Sequence, residues 1–317
     1  MKVACVQAEP AILDRAATLD KLARLTGEAA AAGAQLVVFP ETFVPAYPSS
    51  RWARALAGWH DPRAKATFAR LARESVEVPG PDADRLGAVA REHGVWLVTG
   101  VNEVDPERPG TLYNSLLYHA PDGSLALHHR KLVPTNHERL VWGQGDGRGL
   151  RAIPTELGRI GGLICWENYM PLARFSLYDS GVEIYVASTA DDGDAWQATL
   201  VHIARESRAF VVSPCHFQRA GSYPEDFPLR DEIDGRGLLG RGGSAILAPD
   251  GSYLAGPLYD EEGILFADLE PERLYEERQR FDAVGHYHRP DVLEFRLADR
   301  MTNGYASPTT RGLAPAE

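Results

Sequence analysis

Apolar runs of strand length alternate with apolar stripes of helical spacing along most of the chain. "VACVQ" (Val3–Gln7) reads as a strand. Leu19, Leu22, Leu25 and Ala29 then recur at helical spacing until Gly33, and "QLVVFP" follows as a second strand. Leu86, Val89 and Ala90 repeat the stripe up to Gly94, ahead of "VWLVTG" (95–100), and the connection is long enough for a crossover between parallel strands. "LYNSLLYH" and "SLALHHRKL" flank Pro121-Asp122-Gly123, where proline presets φ and glycine permits a positive φ, so a hairpin is expected. The second half repeats this plan. "IGGLIC" (160–165) precedes a helix from about Pro171. The strand "VEIYVAS" comes next, then a helix with Trp196, Leu200, Ile203 and Ala204 on one side, and then "FVVS". A further hairpin about Pro249-Asp250-Gly251, the strand "GILFADL" (263–269) and a helical stretch over 271–280 complete the pattern. No low-complexity linker divides the chain, which points to one α/β domain with two sheets, parallel and antiparallel pairing mixed. From about residue 300 the chain is rich in Gly, Pro, Ser and Thr and reads as irregular.

Composition narrows the function classes. The 317 residues are 44% hydrophobic and 24% charged, ordinary globular values. A net charge of −11 argues against nucleic acid as a partner, because binding to a phosphate backbone is driven by Lys and Arg. No run approaches the roughly 18 apolar residues of a membrane span, and the start "MKVACVQAEP" lacks the features of a signal peptide, so a cytoplasmic protein that does not enter membranes is expected. The three cysteines, Cys5, Cys165 and Cys215, lie far apart without a C-x-x-C pair. Free thiols are expected rather than disulfides or a zinc site.

Cys165 ends an apolar run ahead of Pro171, which suits a first helical turn. A strand-to-helix turn presents its side chain outward beside N–H groups able to hold developing negative charge. The competing reading is a packed core thiol, and it is the favoured one for Cys5 and Cys215. A thiol of ordinary pKa, about 8.5, needs a base or a cation beside it to act as a nucleophile. His128, His129, His286 and His288 read as structural histidines. Glu41 stands directly past "VVFP", where sheets of this kind gather ligands, although a capping or loop carboxylate fits as well. Lys131 ends a hairpin strand with Glu138 seven residues on, a run that by itself reads as solvated charge. "GRGLLG" (235–240) matches G-x-G-x-x-G, but it follows acidic "RDEID" instead of a strand and reads as a glycine-rich loop. The Asp191-Asp192-Gly193-Asp194 cluster lacks the spacing of an EF-hand, and Asp194 reads as a helix cap.

Taken together, Glu41, Lys131 and Cys165 resemble the Glu–Lys–Cys triad of the nitrilase, or carbon–nitrogen hydrolase, superfamily. The stretches "FPET", "HRKLVPTNHERLVWGQGDG", "CWENYMPLAR" and "FDAVGHYHRPDV" (281–292) resemble the nitrilase branch rather than the amidase branches. The resemblance implies a single hydrolase domain over residues 1–295 with an irregular tail at 296–317, folded as a four-layer α-β-β-α sandwich with two mixed β-sheets. It implies no metal or organic cofactor, a small-molecule nitrile as substrate, and self-association as a dimer or larger homo-oligomer. On this resemblance Cys165 is the nucleophile and Glu41 its base. Lys131 and the Trp166 N–H stabilise developing charge, and Glu138 is a second active-site glutamate. Tyr47, Trp52, Trp59 and Trp166 would wall the pocket, with ordinary packing as the alternative for the first three, and Glu167 would give a supporting hydrogen bond. An amidase or carbamoylase, a cyanide-hydrolysing enzyme, and a non-catalytic scaffold of the same fold are the rival readings.

Overall fold

The computed structural model describes residues 1–298. The first half of the chain contributes β1 (Lys2–Gln7), β2 (Leu36–Val38), β3 (Val76–Glu77), β4 (Trp96–Val104), β5 (Leu112–His119) and β6 (Leu125–Arg130). The second half contributes β7 (Ile153–Thr155), β8 (Gly158–Gly162), β9 (Ile184–Val186), β10 (Phe210–Ser213), β11 (Phe217–Arg219), β12 (Leu238–Leu247), β13 (Tyr253–Tyr259) and β14 (Gly263–Asp268). One sheet has the order β14-β1-β2-β4-β5-β6 with β3 beside β4, and the other β11-β12-β10-β9-β8-β7 with β13 beside β12. Each mixes directions: β1, β2 and β4 run parallel, as do β8, β9 and β10, while β4-β5-β6 and β10-β12-β13 pair antiparallel. The helices are α1 (Arg15–Ala31), α2 (Ser50–Ala53), α3 (Pro62–Glu74), α4 (Pro81–His93), α5 (Pro171–Asp179), α6 (Asp194–Ser207) and α7 (Glu272–Arg278).

The period of two along each strand sorts its side chains into layers. Val3, Cys5, Leu36, Val38 and Val98 of the first sheet meet Ile160, Ile184, Val186, Val212 and Ile246 of the second in one shared core. The intervening Ala4, Val6, Val37 and Leu97 face outward onto Leu19, Leu22, Leu86 and Ala90 of α1 and α4. On the far side Tyr185, Val211 and Leu247 face Leu177, Trp196, Leu200 and Ile203 of α5 and α6. The result is an α-β-β-α sandwich. It also explains why these strands read as continuous apolar runs, since both of their faces are covered.

Three details depart from the sequence reading. Residues 50–74, where the sequence pattern named no element, contain α2 and α3; α3 buries only Ala64, Thr67 and Leu71, a small and partly polar stripe, while the Asp61 side chain caps its start. Asp194 lies inside the first turn of α6 without capping it, and Asp191 Oδ1 instead accepts from the Gly193 N–H at 2.9 Å. "GRGLLG" enters β12 at Leu238, so only its first half is a loop. The irregular tail expected from residue 296 falls outside the described residues from 299 on. No described helix is long and apolar enough to cross a membrane.

Candidate active site

Glu41 lies just beyond β2, in a turn that continues the sheet through Phe39 N–H to Val98 O at 2.8 Å. The turn rests on Gly100 of β4: a Cβ there would stand 2.2 Å from Pro40 O and 2.5 Å from Thr42 N, so only bare backbone fits under it. Lys131 follows β6 directly, with its N–H on Asn114 O at 2.8 Å. Glu138 sits in a short 3-10 turn, Asn136–Leu140, where its Oε2 accepts from the Thr135 N–H at 2.7 Å. Beyond β8, Leu163 N–H and Cys165 N–H bond to Val186 O and Ser188 O, at 3.1 and 2.9 Å. Cys165 opens the 3-10 turn Cys165–Tyr169 at φ 51°, a left-handed conformation that for a residue with a side chain costs roughly 1–3 kcal/mol and is held by its surroundings. Thr42 and Asn136, beside the other site residues, also have positive φ.

These segments bring four side chains together. Lys131 Nζ donates to Glu41 Oε1 at 2.9 Å and to Glu138 Oε2 at 2.7 Å, with all three side chains at most 1% exposed. Glu41 Oε1 also accepts from Asn114 Nδ2 at 2.6 Å, whereas Glu41 Oε2 is buried without a partner among the described residues. The Tyr47 hydroxyl donates to Glu138 Oε1 at 2.8 Å. The Thr189 hydroxyl donates to Cys165 Sγ at 3.2 Å. The solvated reading of Glu138 is therefore wrong, and its cause lies outside its own segment: Tyr47 and Lys131 bury it.

Burial raises the pKa of Glu41 above the ordinary carboxylate value; Lys131 opposes the rise and Glu138 adds to it. Burial likewise pushes the Cys165 thiol up, reinforced by Glu41 and opposed by Lys131. Burial alone would lower Lys131, but the two glutamates outweigh it and hold the ammonium charged. The site thus combines a neutral thiol, a fixed cation and a carboxylate more basic than usual. That set suits a nucleophile which loses its proton as it attacks.

Cys165 opens onto a cleft of about 740 Å³ with Tyr47, Trp166, His137 and His216 on its walls. Trp166 is half exposed and donates through Nε1 to Asp191 Oδ2 at 2.7 Å, while its backbone N–H has no acceptor among the described residues. Two expected wall residues are elsewhere. Trp52 is fully buried and donates to the Tyr223 hydroxyl at 2.7 Å, in a core that includes Phe227. Trp59 is 83% exposed and does not line the cleft; a tight turn, Gly58 N–H to Ala55 O and Asp61 N–H to Gly58 O, carries it to the surface before α3. Sequence reasoning missed Asn114, Thr189 and His216. His216 donates through Nε2 to the Glu41 carbonyl oxygen, and burial pulls its pKa down to about 4, which leaves it neutral at neutral pH. Thr189 and His216 lie just past β9 and β10, and the position beyond a parallel strand's carboxyl end is the signal that could have found them. Of the expected structural histidines, His128 bonds to Glu103 at 2.7 Å and His288 packs edge-on against Phe175, whereas His286 is exposed and meets the ring of neighbouring Tyr287.

The Carbon-nitrogen hydrolase family matches residues 2–279 of this chain. The chain is 44% identical over 293 residues to an aliphatic nitrilase of Sinorhizobium fredii (strain HH103), covering 92% of this chain and 94% of that one. It is 41% identical over 318 residues to the bifunctional nitrilase/nitrile hydratase NIT4B of Nicotiana tabacum, covering 99% and 90%. Among solved structures, a carbon-nitrogen hydrolase from Helicobacter pylori G27 superposes with a TM-score of 0.72 at 22% identity, covering 92% of this chain and 96% of that one. An amidase from Nesterenkonia sp. does so with a TM-score of 0.63 at 22% identity, covering 88% and 94%. Those two likenesses concern the fold alone. With the family matching nearly the whole sandwich and relatives above 40% identity spanning the chain, this protein belongs to the carbon–nitrogen hydrolase family, on its nitrilase branch.

Proposed function

We propose that this protein hydrolyses an organic nitrile to the carboxylic acid and ammonia, with Cys165 as nucleophile, Glu41 as base, and Lys131 and Glu138 as fixed charges. The observation that carries this reading is the buried Glu41–Lys131–Glu138 cluster beside Cys165, in which one Glu41 oxygen has no partner among the described residues and can take a proton. Cys165 Sγ adds to the nitrile carbon while its proton passes through Glu41 to the nitrogen, giving a thioimidate. Water, deprotonated by Glu41, adds next. The resulting tetrahedral carbon expels ammonia and leaves a thioester, which a second water cleaves to the acid and free thiol. Lys131 and the Trp166 N–H stabilise the charge that develops, and Tyr47 with Glu138 keeps Lys131 in place. Tyr47 and Trp166 also wall the substrate's side of the cleft.

A second outcome belongs to the same chemistry. If the tetrahedral carbon expels the thiolate instead of ammonia, an amide is released; the double name of the Nicotiana tabacum relative favours keeping this outcome. Matched nitrile and amide pairs, such as phenylacetonitrile with phenylacetamide and aliphatic pairs beside them, test the reading by ammonia release with acid and amide separated. The expected result is a higher kcat/KM for the nitriles. Faster turnover of amides across the panel would replace nitrilase with amidase and leave the triad in place.

Residues 1–295 act in this reading as one hydrolase domain in the cytoplasm, self-associated as a dimer or larger assembly. Tyr169 and Leu172, 45% and 72% exposed, put apolar surface at the start of α5 in support of self-association. Light scattering is expected to return at least twice the chain mass of 34.7 kDa, and a monomer at working concentrations would remove the assembly from the reading.

A further inference from the structure

Glu167 stands two positions after Cys165, yet its carboxylate is spent on the protein. Oε1 accepts from the Leu132 N–H at 2.8 Å; Oε2 accepts from the Ile164 N–H at 2.9 Å and pairs with His129 Nε2 at 2.8 Å. Neither the Glu167 nor the His129 side chain has any exposure. Residues 129 and 132 straddle Lys131 at the end of the first sheet, while 164 and 167 straddle Cys165 in the second. One carboxylate therefore ties the segment carrying the ammonium to the segment carrying the thiol. The other main-chain ties of Lys131, to Asn114 O and from the Gly145 N–H, do not reach the Cys165 segment. β6 also ends the strand order of its sheet, so among the described residues no further strand holds Lys131 from that side.

We propose that Glu167, paired with His129, is a positioning residue that fixes Lys131 relative to Cys165 across the two sheets, and thereby sets how the tetrahedral intermediate divides between acid and amide. The second half of this statement rests on the nitrile-hydrolysis reading; the first does not. His129 and the two backbone N–H groups hold Glu167 below the ordinary carboxylate range against the opposing effect of burial, so the group is ionised in use. A glutamine cannot replace it. Whichever atom became NH₂ would face the N–H of Leu132 or that of Ile164, and neither backbone donor can change its role.

The alternative is that the pair only holds the fold together. That role would change how much protein is folded, but not what the folded protein does. Glu167→Gln and His129→Asn separate the two, with folded protein verified by circular dichroism. In folded Glu167→Gln, kcat is expected to fall about tenfold or more with KM changed less than about threefold, as for a misplacement of reacting groups. The amide fraction of product, which does not depend on the amount of folded enzyme, is expected to rise at least about twofold. A third readout needs no nitrile: the pH dependence of Cys165 alkylation by iodoacetamide, located by mass spectrometry. The thiol's titration senses Glu41, Lys131, Glu138 and Thr189, and its midpoint is expected to shift by about half a pH unit or more when Lys131 is loosened. His129→Asn removes one of the three bonds and carries the same changes at smaller amplitude, so it decides the matter if Glu167→Gln does not fold. Unchanged kcat, product ratio and alkylation profile in folded variants overturn the proposal, as does activity lost only in proportion to unfolded protein. If the wild type turns over no nitrile, the function reading fails by itself, and the alkylation profile still decides whether Glu167 positions the two groups.

Discussion

Cys165→Ala is expected to leave the fold intact and to abolish both turnover and covalent capture of substrate. Removing a nucleophile that works together with its base costs at least about 10⁴-fold, because little of the remaining machinery acts without it. The substitution deletes one sulfur and one hydrogen bond, from Thr189, and leaves the backbone ties of the turn to Ser188 and Val186 unchanged. No other thiol can take over. Cys5 lies in the core between the sheets, and Cys215 is buried with its Sγ toward Asp191 O at 3.5 Å. Intact-mass measurement after exposure to substrate checks the result. An adduct on the variant, or ammonia release well above background, would place the nucleophile elsewhere.

Glu41→Gln preserves shape and the contact with Lys131 but removes the base, and is expected to lower the rate on the order of 10² to 10⁴. The pH profile carries a further signature. In the proposed role Glu41 acts in its ionised form, and burial together with Glu138 raises its pKa while Lys131 opposes. Wild-type kcat/KM should therefore be present above that raised pKa and fall as the pH drops through it, with the acid limb lying above the ordinary glutamate value. In Glu41→Gln this limb should disappear. Turnover at the wild-type rate at neutral pH would refute the assigned role.

The layers and strands of this fold are legible in the sequence because alternation along β1, β2, β4, β9 and β10 is regular and both faces are apolar. Glu41, Lys131 and Cys165 are legible as candidates for a related reason: each stands at the end of a strand-like segment, and three such endings in order resemble one family. Glu138 is not legible from its own surroundings. His137 and Arg139 flank it as a charge run would, and its burial comes from Tyr47, which meets it from about ninety positions away. Trp52 and Trp59 have the same chemistry and neighbouring positions, yet one is enclosed by Tyr223 and Phe227 and the other faces solvent. What separates them is the packing of α2 and α3 against a distant segment, and local periodicity carries no trace of that.

The unpartnered oxygen of Glu41 also has a thermodynamic side. Two carboxylates share one ammonium, and all three side chains are at most 1% exposed, so the folded chain holds an excess of buried negative charge when both carboxylates are ionised. A carboxyl group whose folded pKa is raised above its unfolded value favours the native state most at low pH, and that contribution is lost as the pH rises through the folded pKa. Once ionised, Glu41 therefore works against folding. Glu41→Gln, expected to slow catalysis, should for the same reason raise the melting temperature, since glutamine keeps the bonds from Asn114 and Lys131 without the charge. Native stability and reactivity pull in opposite directions at this one carboxylate, and the rest of the sandwich supplies the stability that keeps it in place.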